Sequence, residues 1–183
     1  DIRLMGLQNI ADAVKKFAGT SVKDYGGIGG MKTVSVRNLG AQHTAVSYDG
    51  IVVSNTQAGQ IDIGRFSLDN VSMLSVAIGQ GSDMLQSARH YASAAVMGIT
   101  TEQPKLDADK ASLWRIGISG GSWGQVNPKL RLWQRLSEST IMSINADYMR
   151  ADGNYPYTLV NGLESTRERR TNSGISQWHV EGN

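Results

Sequence analysis

Apolar side chains at Leu4, Leu7, Ile10, Ala11, Val14, Phe17 and Ala18 recur every three or four residues. That spacing predicts an amphipathic helix over 4–18, with Gly19 as its stop. The period then shortens. Residues 21–25 read as a short extended piece. Lys32–Arg37 and Thr44–Tyr48 alternate as strands, and Asp49-Gly50 is a hairpin signal that returns the chain through Ile51–Val53. Residues 54–67 are polar and irregular, 72–78 read as another strand, and the Ala-rich stretch 82–97 as a short helix. Three or four strands with two helices make a small mixed layer structure.

Pro104 and the polar run 105–110 mark a linker, and after it the pattern changes. Segments 112–119, 127–136, 139–150 and 171–180 have period-two features. In 139–150, Thr140, Met142, Ile144, Ala146 and Tyr148 share one face, opposite Ser143, Asn145 and Asp147. Such segments have the length of strands that cross a bilayer in a barrel, and they also fit an ordinary half-buried sheet. Three or four of them end in bare edges, because a closed membrane barrel needs at least about eight. The predicted class is therefore α+β. A small mixed domain at 1–102 is followed by a linker at 103–111 and antiparallel strands at 112–183.

Composition narrows the class further. Of 183 residues, 21 are glycine and 3 proline, so neither a collagen repeat nor a proline-rich disordered chain fits. The absence of cysteine excludes disulfides, thiolate metal sites and cysteine nucleophiles, and it permits an oxidising compartment. The net charge is only +2. The one dense basic run, Arg167, Arg169 and Arg170, is interleaved with Glu164 and Glu168, and it reads as a solvated, salt-bridged loop. Nucleic acid is not an expected partner. No apolar run is long enough for a membrane-crossing helix.

Two motifs imitate chemistry. Gly117-Ile118-Ser119-Gly120-Gly121 matches the nucleophile elbow, but a poor helix former follows it, and His179 is the one later histidine. Gly27-x-Gly29 suggests a phosphate loop, yet Lys32 stands where a third glycine is needed and a strand follows. His43, His90 and His179 lack ligand spacing, so no metal is expected. Asp62, Asp69, Asp107 and Asp109 pair only if folding brings them together. Arg37 has Asp49 or a partner surface as candidate counterparts. Trp114, Trp123, Trp133, Trp178 and Tyr155-Pro156-Tyr157 all lie in the second half, where membrane interface, plain packing and ligand contact are open readings.

Residues 19–50 carry the most specific signal. The unit Val34-Ser35-Val36-Arg37, a glycine-containing turn, and Tyr48-Asp49-Gly50 closely resembles the plug domain of TonB-dependent outer-membrane receptors, in the form common in Bacteroidetes. Asn38 replaces the usual glycine after the arginine, and asparagine tolerates left-handed backbone. Val71–Gly79 resembles the next plug strand, with Ser75 where glutamate is usual and Ile78 where arginine is usual. Gly98-Ile99-Thr100-Thr101 loosely resembles the last one, and the likeness continues into 117–129, 146–157, Asn172 and Trp178 as first barrel strands.

The resemblance implies a non-catalytic plug that gates energy-coupled uptake of an iron chelate, cobalamin or a glycan through a barrel of about 22 strands. No cofactor is implied. The implied partners are the TonB energy-transducing complex, through a box not seen in this chain, the protein's own barrel, and a surface nutrient-binding lipoprotein. The implied place is the outer membrane. Arg37, Asn38, Asp49 and Gly50 are expected to organise the plug. Tyr25, Gly26, Gly27, Gly29, Gly30 and Gln57, in loops 26–30 and 54–66, are expected to face substrate. A stand-alone surface nutrient-binding protein that reuses the plug fold is the alternative. A serine hydrolase built on Ser119 is a third reading.

Overall fold

The structure, a computed structural model, describes residues 7, 9–27, 29–79, 86–103, 106 and 109–183. The chain divides into two compact units, Asp1–Gln103 and Pro104–Asn183. The architecture is α+β: short sheets and small helices first, extended antiparallel strands afterwards.

In the first unit, helix α1 (Ile10–Val14) is far shorter than the apolar spacing over 4–18 suggests. Leu4 lies outside the described residues. At the other end, the Thr20 hydroxyl donates to the carbonyls of Val14 (2.6 Å) and Phe17 (2.9 Å), which takes the acceptors a longer helix would need. Gly19 sits at φ +75° and turns the chain into β1 (Thr20–Asp24). A five-residue helix is marginal by itself. Here Asn9 caps it by accepting from the Asp12 amide at 3.0 Å, and Ile10, Ala11 and Val14 are wholly buried.

β1 pairs antiparallel with β2 (Lys32–Val36) as a two-stranded ribbon. The main sheet contains β3 (Thr44–Tyr48), β4 (Ile51–Val53), β5 (Val71–Ile78) and β6 (Ala95–Thr101) in the order β4-β3-β6-β5. β3 and β6 run parallel, and both outer pairings are antiparallel. Six strands therefore stand where three or four were expected. The expected helix over 82–97 is overturned in its second half. Helix α2 covers Ala88–Ala92, β6 begins at Ala95, and residues 82–85 lie outside the described set. Ala95, Met97 and Ile99 are buried at period two on β6, and Gly98 leaves the space that the Ser75 hydroxyl fills from β5. The core gathers Ile10, Val14, Val34, Val46, Ile63, Met97 and Ile99, with Tyr48 stacked on Phe66 at 5.2 Å beside it.

The second unit is a meander. β7 (Ser112–Gly121), β8 (Gln125–Arg135), β9 (Ile141–Ala151) and β12 (Ile175–Gly182) form one antiparallel sheet in the order β12-β9-β8-β7. Between β9 and β12 the chain makes a separate hairpin, β10 (Pro156–Asn161) and β11 (Glu164–Arg169). That hairpin corrects the expectation of a loop around Arg167, Arg169 and Arg170: Gly162-Leu163 turns the chain, with Gly162 at φ +64°, and both flanks pair.

Candidate functional site

Asp49-Gly50 closes the β3–β4 hairpin with both residues at positive φ, +46° and +83°. Two left-handed residues in sequence match the twist of flanking strands, which is why this dipeptide serves as a hairpin turn. The Asp49 amide donates to the Ile99 carbonyl at 2.9 Å, carrying the β3–β6 ladder one step beyond the strand. Its carboxylate then accepts from the Thr101 amide and the Thr101 hydroxyl, each at 2.8 Å. One side chain thus holds the turn and the end of β6 together. Arg37 and Asn38 form the turn after β2 at φ +50° and +59°. The Arg37 amide donates to the Gly19 carbonyl at 2.7 Å, extending the β1–β2 ribbon. Its side chain is exposed, and no hydrogen bond or ion pair of it to a described residue is present. The Arg37–Asp49 pairing considered from sequence is not made, because Thr101 takes the Asp49 carboxylate.

The two loops singled out from sequence meet in the fold. Asp24, at the end of β1, accepts from the amides of Gly26 (3.0 Å) and Gly27 (2.8 Å) and from the Lys32 ammonium (2.9 Å). Lys32 also donates its ammonium to the Gly27 carbonyl at 2.6 Å. The loop is therefore clasped across its mouth by one ion pair. Partial burial pushes the Asp24 carboxyl upward, but Lys32 and the two glycine amides outweigh it and hold it at about 2. On the other side, the Asp62 carboxylate accepts from the Lys32 amide and the Gly64 amide, both at 2.9 Å, which joins the 54–66 segment to the ribbon. Gly30 approaches so closely that an added Cβ would lie 2.6 Å from the Gly26 backbone. Tyr25, Gly26, Gly27 and Gly29 are exposed, with the Lys23 ammonium over the Tyr25 ring at 4.9 Å, and Gly30 is half-buried. Ile28 lies outside the described residues. Gln57 is exposed in a turn where Asn55 accepts from the amides of Gln57 and Ala58, both at 3.0 Å. Asp24, Lys32, Asp62 and Thr101 escaped the sequence reading as site residues. The one available signal was the carboxylate before a glycine run, an Asx turn.

In the second unit, the strand register separates two faces of opposite character. Trp114, Ile116 and Ile118 of β7 lie opposite Leu132, Leu130 and Pro128, which continue through Ile144 and Ala146 to Val180. This apolar face is open: Ile116 is 79% exposed and Trp178 75%. The reverse face carries Arg115, Lys129, Arg131, Asn145, Asp147 and His179. There Trp133 is buried with the guanidiniums of Arg115 and Arg131 each 5.0 Å from its ring, and Arg131 donates to the Asn145 side chain. His179 pairs with Asp147 at 3.0 Å. Ser119 is exposed on β7, and His179 sits on β12 at the far side of the sheet, so the pair cannot form a nucleophile and its base. Gly27 and Gly29 lead into β2 instead of a helix, so the phosphate-loop imitation also fails on geometry. Among the described residues no cluster of three metal-ligating side chains exists.

Residues 1–90 match the family described as the TonB-dependent receptor plug domain. The first unit carries a TonB-dependent receptor plug. The plug match supports the outer membrane as the location of this chain. Among solved structures, the chain is similar to the pyoverdine outer membrane receptor FpvA from Pseudomonas aeruginosa PAO1. The identity is 18% and the TM-score 0.58, over 81% of this chain and 20% of that one. It is similar to the copper transporter OprC at 17% identity and TM-score 0.61, over 80% of this chain and 21% of that one. It is also similar to the FrpB iron transporter from Neisseria meningitidis, in its apoprotein form, at 13% identity and TM-score 0.67, over 95% of this chain and 26% of that one. At such identities the likeness is one of fold. The chain spans about a fifth to a quarter of the length of these receptors.

Proposed function

We propose that this chain is the plug and first barrel strands of a receptor that takes up a scarce nutrient across the outer membrane, energised by the TonB complex. The observation that carries this reading is the passage from a plug fold to a meander with one apolar and one polar face. The strands are 10 and 11 residues long in β7, β8 and β9, the length that crosses the hydrocarbon core when tilted. In this reading the Trp114–Ile118 side meets lipid and the Arg115–Asp147 side lines the lumen. β7 and β12 then find their missing neighbours in the rest of the protein's own barrel. A separate surface lipoprotein remains a partner that the family resemblance implies.

Within the plug, Asp49, Gly50, Arg37 and Asn38 act as organisers, because each sits at a turn whose backbone or side chain closes a ladder. The clasped loop at Tyr25–Gly30 and the Gln57 turn are the proposed substrate-facing elements, supported by their exposure and their mutual link through Asp62. The substrate class is an iron chelate, cobalamin or a glycan. The Val34–Arg37 and Tyr48–Gly50 motifs support a receptor of the Bacteroidetes form.

Cells expressing the intact protein test this reading. The protein is expected in the outer-membrane fraction with heat-modifiable electrophoretic mobility. One of the three labelled substrate classes is expected to accumulate only while the TonB system is energised. Recovery in a soluble fraction, or uptake indifferent to TonB, would overturn it.

A further inference from the structure

The arginines of the β10–β11 hairpin make no salt bridge to a described residue. On β11 the sequence Glu164-Ser-Thr-Arg167-Glu168-Arg169 alternates, so Glu164, Thr166 and Glu168 share one face, and Ser165, Arg167 and Arg169 share the other. Cross-strand pairing extends the division. Tyr157 lies opposite Glu168, while Pro156 and Thr158 lie opposite Arg169 and Arg167. The Tyr157 hydroxyl donates to Glu168 at 3.2 Å, and that hydrogen bond pushes the phenol pKa upward, so the acidic face has its own partner. Arg167 has no partner among the described residues. Arg169 reaches only the Asn154 carbonyl, at 3.5 Å. Arg170, just beyond the strand, donates to the Tyr155 hydroxyl at 2.6 Å and lies over its ring at 5.6 Å. No carboxylate of the described residues pairs with any of the three. All three are exposed.

The base of the hairpin is fixed to one end of the sheet. The amides of Asp152 and Gly153 donate to the Trp123 carbonyl at 3.0 and 3.3 Å, and the Ser173 hydroxyl donates to the Gly153 carbonyl at 2.8 Å. On the apolar face near this same end, Tyr148 and Trp178 pair with ring centroids 4.3 Å apart. They lie three register steps from Ala151 and Ile175, about 10 Å at strand rise. Trp178 is exposed and Tyr148 half-buried, and Tyr and Trp rings on a lipid-facing side settle at the level of lipid headgroups. The hairpin leaves the sheet about 10 Å beyond that pair, with Arg169 and Arg167 nearest its base. Val160 on the basic face and Leu163 in the turn are exposed apolar side chains farther out.

We propose that the Arg167–Arg169 face docks on the phosphate groups of anionic lipid at the membrane surface. Charge complementarity selects an anion. Two arginines on one strand face, with Cα atoms about 7 Å apart, suit neighbouring phosphates. The aromatic pair about 10 Å below the hairpin base selects the lipid source over a soluble one. The inference rests on the barrel-strand reading above.

The intact, detergent-purified protein tests it by native mass spectrometry with three probes: dioleoyl phosphatidate, dioleoyl phosphatidylcholine and inorganic phosphate. Phosphatidate is expected to bind in preference to the other two. The double variant Arg167→Gln, Arg169→Gln is expected to weaken phosphatidate binding by at least about tenfold, given the usual contribution of each basic residue at an anionic surface. The opposite-face control Glu164→Gln, Glu168→Gln is expected to retain it. Equal binding of phosphatidate and phosphatidylcholine, or no loss in the arginine variant, overturns the proposal. So does arginine-dependent binding of inorganic phosphate at the same affinity, which would assign the face to a soluble anion. Protein that reaches the outer-membrane fraction and transports, yet fails this binding test, sinks the lipid inference alone. Protein that never reaches that fraction sinks the reading beneath it.

Discussion

The first unit turns its large apolar side chains inward, and the second turns them outward. Ile10, Val14, Val46, Ile63, Met97 and Ile99 are fully buried in one core, packed from α1, the main sheet and the 63–65 turn. In the second unit Ile116, Ile118, Trp178 and Val180 are exposed, while Arg131 and Asn145 are buried with Trp133 on the reverse face. In the barrel-strand reading proposed above, the same alternating chain chemistry serves two solvents: a plug that folds by excluding water needs a closed core, whereas a strand that faces lipid keeps its apolar side open and buries its polar side.

The largest expected effects come from exchanging these two logics. Met97→Ala removes a fully buried side chain and is expected to cost about 2–5 kcal/mol. Chemical denaturation followed by near-ultraviolet circular dichroism checks it. Ile116→Lys changes an open position, and in a bilayer it is expected to cost about 2–4 kcal/mol if the site lies near the midplane. The readout is folding efficiency of the intact protein into vesicles. A Met97 variant as stable as the parent, or an Ile116 variant that inserts normally, would erase the contrast.

Asp49→Ala sharpens the comparison inside the plug, where polar groups hold the sheet together. It removes both bonds to Thr101 and leaves alanine at a positive φ. A loss of about 1.5–3 kcal/mol is expected, from charge-assisted hydrogen bonds to a half-buried strand end. Hydrogen exchange at the Thr101 amide should rise, and Asp49→Asn should recover part of the protection. Gly30→Ala is expected to cost about 1–3 kcal/mol, because its Cβ would strike the Gly26 backbone. Gly27→Ala, which meets nothing within 4 Å but sits at φ +71°, should cost about 1 kcal/mol. Thermal unfolding of the two variants side by side measures the difference.

The smallest effect concerns pH. Asp24 is held at about 2 in the folded chain against an ordinary value of 3.8. The clasp therefore contributes fully above about pH 4 and is lost as pH falls toward 2. Because the Asp24 side chain is 39% exposed, solvent screening limits this to at most about 1 kcal/mol. Amide exchange at Gly26 and Gly27 between pH 5 and pH 2 is expected to accelerate more in the parent than in Asp24→Asn. Identical acid dependence in both would assign the loop's order to something other than the clasp.

The plug was legible because its turns demand particular residues. Asp49-Gly50 requires left-handed backbone, and Arg37-Asn38 sits in a turn of the same kind, so the pattern survives in the letters. Long strands in the second half were legible because period two persists over ten residues. The reading failed where local composition and tertiary pairing disagree. The Ala-rich run 82–97 looks helical, yet β5 and β3 flank its end on both sides and draw Ala95–Thr101 into the sheet. The charged run 164–170 looked like a salt-bridged loop, because proximity along the chain suggested pairing, whereas strand alternation puts Arg167 and Arg169 on the face opposite Glu164 and Glu168.

By itself the sequence determined the two-part organisation, the plug motif, the hairpin turn at Asp49-Gly50 and the absence of thiol chemistry. Each follows from residue type or short spacing, which need no knowledge of distant contacts. Only the tertiary structure decided that Asp49 bonds Thr101, that Lys32 joins Asp24 to the Asp62 segment, and that the hairpin separates its arginines from its glutamates. Those outcomes depend on register and on neighbours 8 to 52 positions away, and a hydrogen bond of about 3 Å is set by where the strands lie, not by which residues follow one another.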